Sequence, residues 1–369
     1  MIYWEEPVPG SLQTCPRLDA RTCADSGVIV VTPVLPEGGA GAERDAMLGL
    51  LLDGMLAGYG QDVIRWYDAP AALSFSRHLE AICTVYDCSD ELTETGYASS
   101  QLSLLEDELM GVADVVFTGG YGLWEAKRGR HHNVHAFPSS VDRAHFAKAR
   151  LAGAEPADQA VIPGPRLGFL GVIDEQMDLG LLAALADARP HWSLVLVGPV
   201  LRLKSADLPK RANLHYLGPK AHEELPRYLG GWDVALAPFV VDETTRFLSP
   251  TQTLEYLAAG RPVVSTPVAE VVTLYGGLDA VAVAATLQEF VAACERALDL
   301  ARSRRSWLRR VDAVLSTMSW DETFARMNAE VCRAGGVRRY AMAAEPQEPI
   351  AESAEPPASL RKPLAHLLH

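Results

Sequence analysis

The sequence is short of positive charge and of long apolar runs. Its 369 residues include 33 lysines and arginines against 47 aspartates and glutamates, which gives a formal net charge of −14. Broad binding to nucleic acid needs a basic face, so this deficit argues against a nucleic-acid partner. No apolar run reaches the ~18 residues of a membrane span, and the first residues do not resemble a signal peptide. We therefore expect a cytoplasmic protein.

Cysteine is also scarce. The six cysteines are scattered along the chain without a C-x-x-C pair. A chain of this size does not need disulfides for stability, so we expect reduced thiols. His131 and His132 are adjacent, but no second cluster stands at a metal-binding spacing. The sequence thus indicates neither a metal site nor another cofactor.

Short apolar runs alternate with amphipathic stretches along most of the chain. Continuous apolar runs are typical of strands covered on both faces, and hence of a parallel sheet flanked by helices. The runs predict strands at 28–35, 63–67, 82–87, 114–119 and 133–137, and again at 166–171, 193–198, 213–218, 233–238 and 262–266. Between the two series, residues 151–166 are rich in Ala, Pro and Gly and read as a linker. The fold class is therefore α/β, with two doubly wound Rossmann-like domains that bind ligands at the carboxyl ends of their strands.

The most informative stretch is RFLSPTQTLEYLAAGRPVVSTP, residues 246–267, which reads as a loop, a helix and a strand. Pro250 suits the first helical turn, and Ser249 is placed to cap the helix. Such an end binds phosphate through its outward N–H groups, here expected from Thr251, Gln252 and Thr253. Glu255 lies about one turn further, where it can accept hydrogen bonds from sugar hydroxyls, and Gly260 is expected to end the helix. An ordinary capped helix is the alternative.

The part LEYLAAGRPVVST resembles the donor-site signature of the GT-B glycosyltransferases, specifically the retaining family often called family 4. The stretches VVFTGGYGLWEAKR, NVHAFPSSVDRAHF and LGFLGVIDEQMDLGLLAALADARPHWSLVLVGP are similar to one bacterial subgroup of that family. The resemblance implies two Rossmann-like domains that face a cleft. It also implies metal-independent transfer, with retention, of a hexose from a nucleoside-diphosphate sugar to a glycan or cell-envelope polysaccharide precursor.

Carried over residue by residue, the resemblance assigns a donor site. Glu255 matches the glutamate that holds the ribose. The diphosphate is expected at Gly171 and at the turn formed by Ser249, Pro250, Thr251 and Gln252, and the base near Leu217 and Gly218. Arg246 and Asp90 are the expected catalytic residues, although Asp90 could equally cap the next helix. The implied partners are a UDP- or GDP-sugar and a saccharide or lipid-linked acceptor, with peripheral contact to the inner face of a membrane as a further expectation.

The same resemblance sets the expected domain limits. An acceptor-side domain, apparently without its first strand, is expected over 1–150, and the linker over 151–166. A nucleotide-sugar-binding domain follows over 167–319, then a closing helix over 320–340 and a disordered tail over 341–369, whose Ala, Glu and Pro content buries little apolar surface.

Three positions depart from the family pattern. Phe247 stands where many members have a first glutamate that contacts the donor sugar, and Gln252 and Gln176 stand at positions that are usually basic. Positive charge at the departing diphosphate is the main catalytic device of such enzymes, and Arg246 is left to supply it. The alternatives are a catalytically weakened homologue that binds a nucleotide sugar or serves as a partner protein and, less well supported, a sugar-nucleotide epimerase.

Overall fold

In a computed structural model, the described residues are 1–11, 13–38, 41–59, 63–89, 91, 100–151 and 153–336. Among them, two compact units can be separated. The first comprises 1–86, 100–114 and 332–336, and the second comprises 87–91 and 115–331 apart from residues 90 and 152. The predicted tail over 341–369 lies outside the described residues, and the predicted domain limits stay a prediction.

The first unit carries most of the elements before residue 115. They are β1 (Ile2–Trp4), β2 (Val8–Pro9), β3 (Arg17–Thr22), β4 (Ile29–Leu35), α1 (Ala42–Leu56), β5 (Ile64–Tyr67), α2 (Leu73–Ser76), β6 (Cys83–Cys88) and α3 (Ser100–Val112). The last two residues of β6 belong to the second unit. Strand β5 pairs in parallel with β6, from Ile64 opposite Cys83 to Tyr67 opposite Tyr86.

The prediction of a purely parallel sheet is wrong for β4. This strand pairs in parallel with β1 and β2, but antiparallel with β3, from Arg17 opposite Val34 to Thr22 opposite Ile29. The connection between β3 and β4 closes with a hydrogen bond from the Cys23 N–H to the Val28 carbonyl at 2.8 Å. Such a short turn can only join antiparallel strands, because a parallel connection needs a long crossover.

The second unit begins with a strand and helix pair. Its first elements are β7 (Val115–Thr118), α4 (Tyr121–Lys127), β8 (Val134–Ala136), α5 (Arg143–Ala147) and α6 (Ala157–Ala160). All four residues of β7 are buried, and β7 pairs in parallel with β8. Helix α5 is capped by Asp142, whose carboxylate accepts the His145 N–H at 2.8 Å.

A six-stranded sheet forms the core of the second unit. Its strands are β9 (Arg166–Leu170), β10 (Ser193–Val197), β11 (Leu214–Gly218), β12 (Val234–Ala237), β13 (Val263–Ser265) and β14 (Val281–Val283). The helices between these strands are α7 (Leu179–Ala188), α8 (Leu225–Gly230), α9 (Gln252–Ala258) and α10 (Ala269–Tyr275). The strand order is β11-β10-β9-β12-β13-β14, and every pairing is parallel. All residues of β10 and β12 are buried. This is the strand order of a Rossmann domain, in agreement with the predicted doubly wound unit, although the apolar runs did not predict β14.

Three longer helices follow the sheet: α11 (Leu287–Arg302), α12 (Arg304–Leu315) and α13 (Trp320–Ala334). Helix α13 lies within the closing helix predicted over 320–340. Within the described ranges, none of the helices combines the length and the apolar character of a membrane-spanning segment.

Candidate functional site

The strand order of the six-stranded sheet fixes where a ligand can bind. From β9 the chain continues through β10 to β11 on one side, and from β12 it continues through β13 to β14 on the other side. A crevice therefore opens at the carboxyl ends of β9 and β12, and ligands of such sheets bind there. Gly171 directly follows β9, and residues 238–251 lead from β12 into α9.

Three neighbouring strands end in a glycine. Gly171 and Gly198 have φ values of 148° and 147°, and Gly218 has a φ of 70°. The Gly171 N–H donates to the Val197 carbonyl at 3.0 Å, and a β-carbon on Gly198 would collide with the Gly171 carbonyl oxygen. Gly198 is therefore required by the close approach of the Gly171 backbone, whereas nothing lies within 4 Å of a β-carbon on Gly218. Gly198 is absent from the predicted site, although its strand ends in LVG just as those of Gly171 and Gly218 end in FLG and YLG.

A buried tyrosine fixes α9 at the end of β9. The Tyr256 hydroxyl accepts the Leu170 N–H at 2.8 Å and donates to the Leu170 carbonyl at 3.2 Å. Burial raises the pKa of this hydroxyl, so it stays neutral and keeps both hydrogen bonds. The Gln252 Nε2 atom then lies only 2.7 Å from the point where a β-carbon on Gly171 would stand. Two predicted donor-binding residues, Gly171 and Gln252, are thus adjacent.

The start of α9 differs from the prediction. Thr251 rather than Ser249 is the N-cap residue, and no side chain caps the helix. The Thr253 N–H donates to the Pro250 carbonyl at 3.1 Å, because the chain already turns at Pro250 before the helix begins. The Thr253 amide is therefore not available to a ligand. Among the described residues, no acceptor is present for the N–H groups of Thr251 and Gln252.

Glu255 has a carboxylate without a hydrogen-bond donor among the described residues. Its side chain is half-buried, and burial raises its pKa to about 7. Within the described part of the chain, no group donates a hydrogen bond to its oxygens, so they can accept hydrogen bonds from the hydroxyl groups of a ligand. Gly260 has a φ of 70° and ends the helix, as predicted, with the Arg261 N–H donating to the Tyr256 carbonyl at 2.9 Å.

Arg246 and Phe247 lie on the loop before α9. The Arg246 guanidinium carbon stands 5.3 Å from the centre of the Phe247 ring, and its side chain is 65% exposed. Its nearest carboxylate is that of Glu243, at 3.9 Å. The ring of Phe247 packs beside Gly122, where a β-carbon would meet its Cδ1 atom at 3.3 Å. Arg246 therefore has the freedom to move toward a bound phosphate.

The remaining predicted residues have different outcomes. Leu217 and Gly218 are half-buried at the end of β11. Gln176 is also half-buried, and its backbone carbonyl accepts a hydrogen bond from the Val240 N–H at 2.8 Å. Asp90 lies outside the described residues, so its catalytic role stays a prediction. Thr118, the last residue of β7, is fully buried and donates its hydroxyl to the Gly120 carbonyl at 3.1 Å.

The basic side chains at the end of α4 and just after it differ in exposure. Lys127 is 1% exposed, and its Nζ atom lies 2.9 Å from a carboxylate oxygen of Glu91. A buried ammonium needs a paired carboxylate, which explains its inward position. Arg128 and Arg130 are exposed, so a contact to an acceptor could involve these two residues but not Lys127.

The cysteines and the other metal-ligating side chains of the described residues form no group that could be a metal centre. All six cysteines are free thiols, and Cys83, Cys88 and Cys294 are buried. Among the described residues, no three side chains of His, Cys, Asp or Glu are grouped closely enough to hold a metal ion.

A parallel sheet in Rossmann order, with glycines after or at the ends of three neighbouring strands and a helix that starts beside Gly171, is the arrangement of a Rossmann-like domain such as GT-B glycosyltransferases contain. In agreement, residues 164–299 match the model of the family described as Glycosyl transferases group 1. This match contains Gly171, Gln252 and Glu255.

Similar proteins support the same fold. TuaH of Bacillus subtilis, named as a teichuronic acid biosynthesis glycosyltransferase, is 24% identical over 236 residues; the match covers 56% of each protein, so the chain spans little more than half of this curated relative. Anabaena HepE in complex with UDP and glucose has a TM-score of 0.63 at 15% identity, covering 81% of this chain and 85% of HepE. The trehalose 6-phosphate synthase of Burkholderia multivorans has a TM-score of 0.63 at 14% identity, covering 91% and 97%. The predicted resemblance to GT-B glycosyltransferases is confirmed, while membership of the retaining family 4 stays a prediction.

Proposed function

We propose that the protein is a glycosyltransferase that moves a sugar from a nucleoside diphosphate to a glycan or cell-envelope polysaccharide precursor, with retention at the anomeric carbon. The observation that carries the proposal is the grouping of Gly171, Gln252 and Glu255 at the carboxyl ends of β9 and β12. The likeness to HepE, whose structure contains UDP and glucose, supports UDP as the first nucleotide to test.

In this proposal the donor lies along the ends of β11, β10 and β9. The base rests near Leu217 and Gly218, and the ribose hydroxyls donate hydrogen bonds to the Glu255 carboxylate. The diphosphate approaches the backbone at Gly171 and the N–H groups of Thr251 and Gln252, which need an acceptor. Free N–H groups at such a turn suit an anion.

The reaction needs stabilisation of the charge that develops on the departing diphosphate. The bond between the anomeric carbon and the diphosphate oxygen breaks, and the acceptor hydroxyl oxygen forms the new bond on the same face. The acceptor proton passes to an oxygen of the departing phosphate, so no protein base is required. Arg246 supplies positive charge when it moves from the Phe247 ring toward the phosphate, a role in which guanidinium is effective. Metal independence is part of the proposal.

A nucleotide-sugar-binding protein with weakened turnover is the second candidate. It is favoured by the neutral Gln252 amide, which lies on Gly171 where the family usually has a basic residue. The exposed position of Arg246 points in the same direction, because this arginine must move to reach a phosphate.

A donor screen tests the proposal. Purified protein is incubated with UDP-glucose, UDP-N-acetylglucosamine, UDP-glucuronate and GDP-mannose, with and without EDTA, and release of the nucleoside diphosphate is followed by chromatography. We expect release from at least one donor, unchanged by EDTA. If the protein binds a donor without releasing the nucleoside diphosphate, and if release is still absent in the Gln252→Lys variant, the result would support the second candidate instead.

A further inference from the structure

Glu270, on the first turn of α10, is a buried carboxylate that the proposed chemistry does not use. It is 7% exposed, and it accepts the Tyr121 N–H at 3.3 Å. The Gly122 N–H also donates a hydrogen bond to this carboxylate, and burial raises the pKa of Glu270. Among the described residues, no lysine or arginine forms an ion pair with it. The backbone N–H groups at the start of α4 therefore offset the free-energy cost of burying the Glu270 carboxylate.

The fit between Glu270 and α4 is close. A β-carbon on Gly120 would stand 3.0 Å from the Glu270 Oε1 atom and 3.2 Å from its other carboxylate oxygen. A side chain at position 120 would therefore force the Glu270 carboxylate to shift by a few tenths of an ångström. Gly120 has an extended backbone with φ of −168°, so an alanine there would disturb only this contact.

A second contact joins the same turn of α4 to the loop before α9. A β-carbon on Gly122 would meet Phe247 Cδ1 at 3.3 Å and the Arg246 carbonyl oxygen at 3.5 Å. The first turn of α4 thus packs against Phe247 and the backbone of Arg246, in the loop before α9. A shift of α4 would change the position of this backbone, which carries Arg246, the expected source of charge.

The same turn is also tied to the end of β6. The Gly119 N–H donates to the Cys88 carbonyl at 3.0 Å, and a β-carbon on Gly119 would lie 3.5 Å from Ser89. Residues 119–122 therefore connect the end of β6 to the loop that carries Arg246, and Glu270 holds them from the other side.

We propose that Glu270 is a positioning residue, which fixes residues 120–122 of α4 against Arg246 and Phe247 so that the reacting end of the donor site is correctly aligned. This proposal rests on the proposed function. Glu270 acts on the reacting groups through α4, and the nucleotide itself is held by Glu255 and Gly171. Misplacement of reacting groups by about 1 Å can cost on the order of 100-fold in rate.

The test separates alignment from nucleotide binding. UDP affinity is measured by titration calorimetry, and kcat and KM are measured for the donor of the screening panel that the wild-type protein hydrolyses. For Glu270→Ala and Gly120→Ala we expect kcat to fall about tenfold or more, while the Kd for UDP changes less than about threefold. Glu270→Gln keeps one acceptor oxygen and should recover part of the rate.

Two substitutions serve as matched controls. Gly129→Ala adds a methyl group just beyond α4, where nothing lies within 4 Å, and Glu106→Ala removes another buried carboxylate, which is 4% exposed. Both should leave kcat unchanged in folded protein, as judged by circular dichroism. An unchanged kcat in folded Gly120→Ala and Glu270→Ala, or an equal loss in Glu106→Ala, would overturn the positioning role. A wild-type protein that neither binds UDP nor hydrolyses any donor would overturn the proposed function first, before any substitution is made.

Discussion

Helices α4 and α9 are built alike but differ in how their polar groups are satisfied. Each has seven residues and follows a buried parallel strand, β7 or β12. At the start of α4 the Tyr121 N–H is bound by Glu270, and further along Lys127 is paired with Glu91. At α9, by contrast, the half-buried Glu255 carboxylate and the N–H groups of Thr251 and Gln252 have no hydrogen-bond partner among the described residues.

This difference in hydrogen bonding indicates that α4 has a structural role and α9 a binding role. A buried polar group without a partner costs free energy, so a protein keeps few of them unless a ligand completes them. Helix α4, with its polar groups satisfied, acts as structural support. Helix α9, with several polar groups left open beside Gly171, has the character of a binding site.

The largest effect is expected at the buried ion pair of α4. Lys127→Met leaves the carboxylate of Glu91, which is 10% exposed, without its ammonium partner, and should lower the free energy of unfolding by about 3–5 kcal/mol. Arg128→Met is the control, because its pair with Glu125 at 2.8 Å is exposed and should cost less than about 1 kcal/mol. Urea unfolding gives both values, and equal losses would contradict the assignment of Lys127 to the scaffold.

A smaller effect is expected from the ionisation of Glu255. Because its pKa is about 7 and ribose hydroxyls bind better to the charged form, UDP affinity should rise about tenfold from pH 6 to pH 8. UDP also titrates in this range, so Glu255→Gln provides the baseline. Titration calorimetry of both proteins measures the difference, and parallel pH profiles would contradict the role of Glu255.

The same pKa has the opposite consequence for stability without ligand. The pKa in the folded protein exceeds its ordinary value of 4.5, so folding favours the protonated form. The contribution of Glu255 to the free energy of unfolding is full below pH 4.5 and is lost as the pH rises through about 7. Glu255→Gln should remove this part of the pH dependence in urea unfolding.

Much of this site could be predicted from the sequence, because its elements depend on local patterns. Apolar runs locate the strands β9 to β13, and Pro250, Glu255 and Gly260 mark a loop and helix at the correct place. The buried position of Lys127 and the role of Glu270 could not be predicted, since their partners are 36 and 149 residues away in sequence. The prediction that Ser249 caps α9 was also wrong, because the Thr253 N–H donates to the Pro250 carbonyl and the N-cap residue is Thr251, two residues later.

The smallest effect is expected at Thr253. Its buried hydroxyl has no partner within the described ranges, so Thr253→Val removes an unsatisfied polar group while keeping the shape of the side chain. The free energy of unfolding should stay the same or rise by about 1 kcal/mol. Urea unfolding measures this change, and a loss above about 1 kcal/mol would show that the hydroxyl is satisfied in solution.

The central claim is that the open polar groups of α9 bind a nucleoside diphosphate, and titration calorimetry with UDP and GDP tests it most directly. We expect the wild-type protein to bind at least one of the two. Glu255→Ala should weaken that binding by about 30-fold or more, because two hydroxyl groups lose a charged acceptor. Glu223→Ala, which removes an exposed carboxylate, should bind as the wild type does. Binding that is equally strong in Glu255→Ala, or absent from the wild-type protein, would contradict the account.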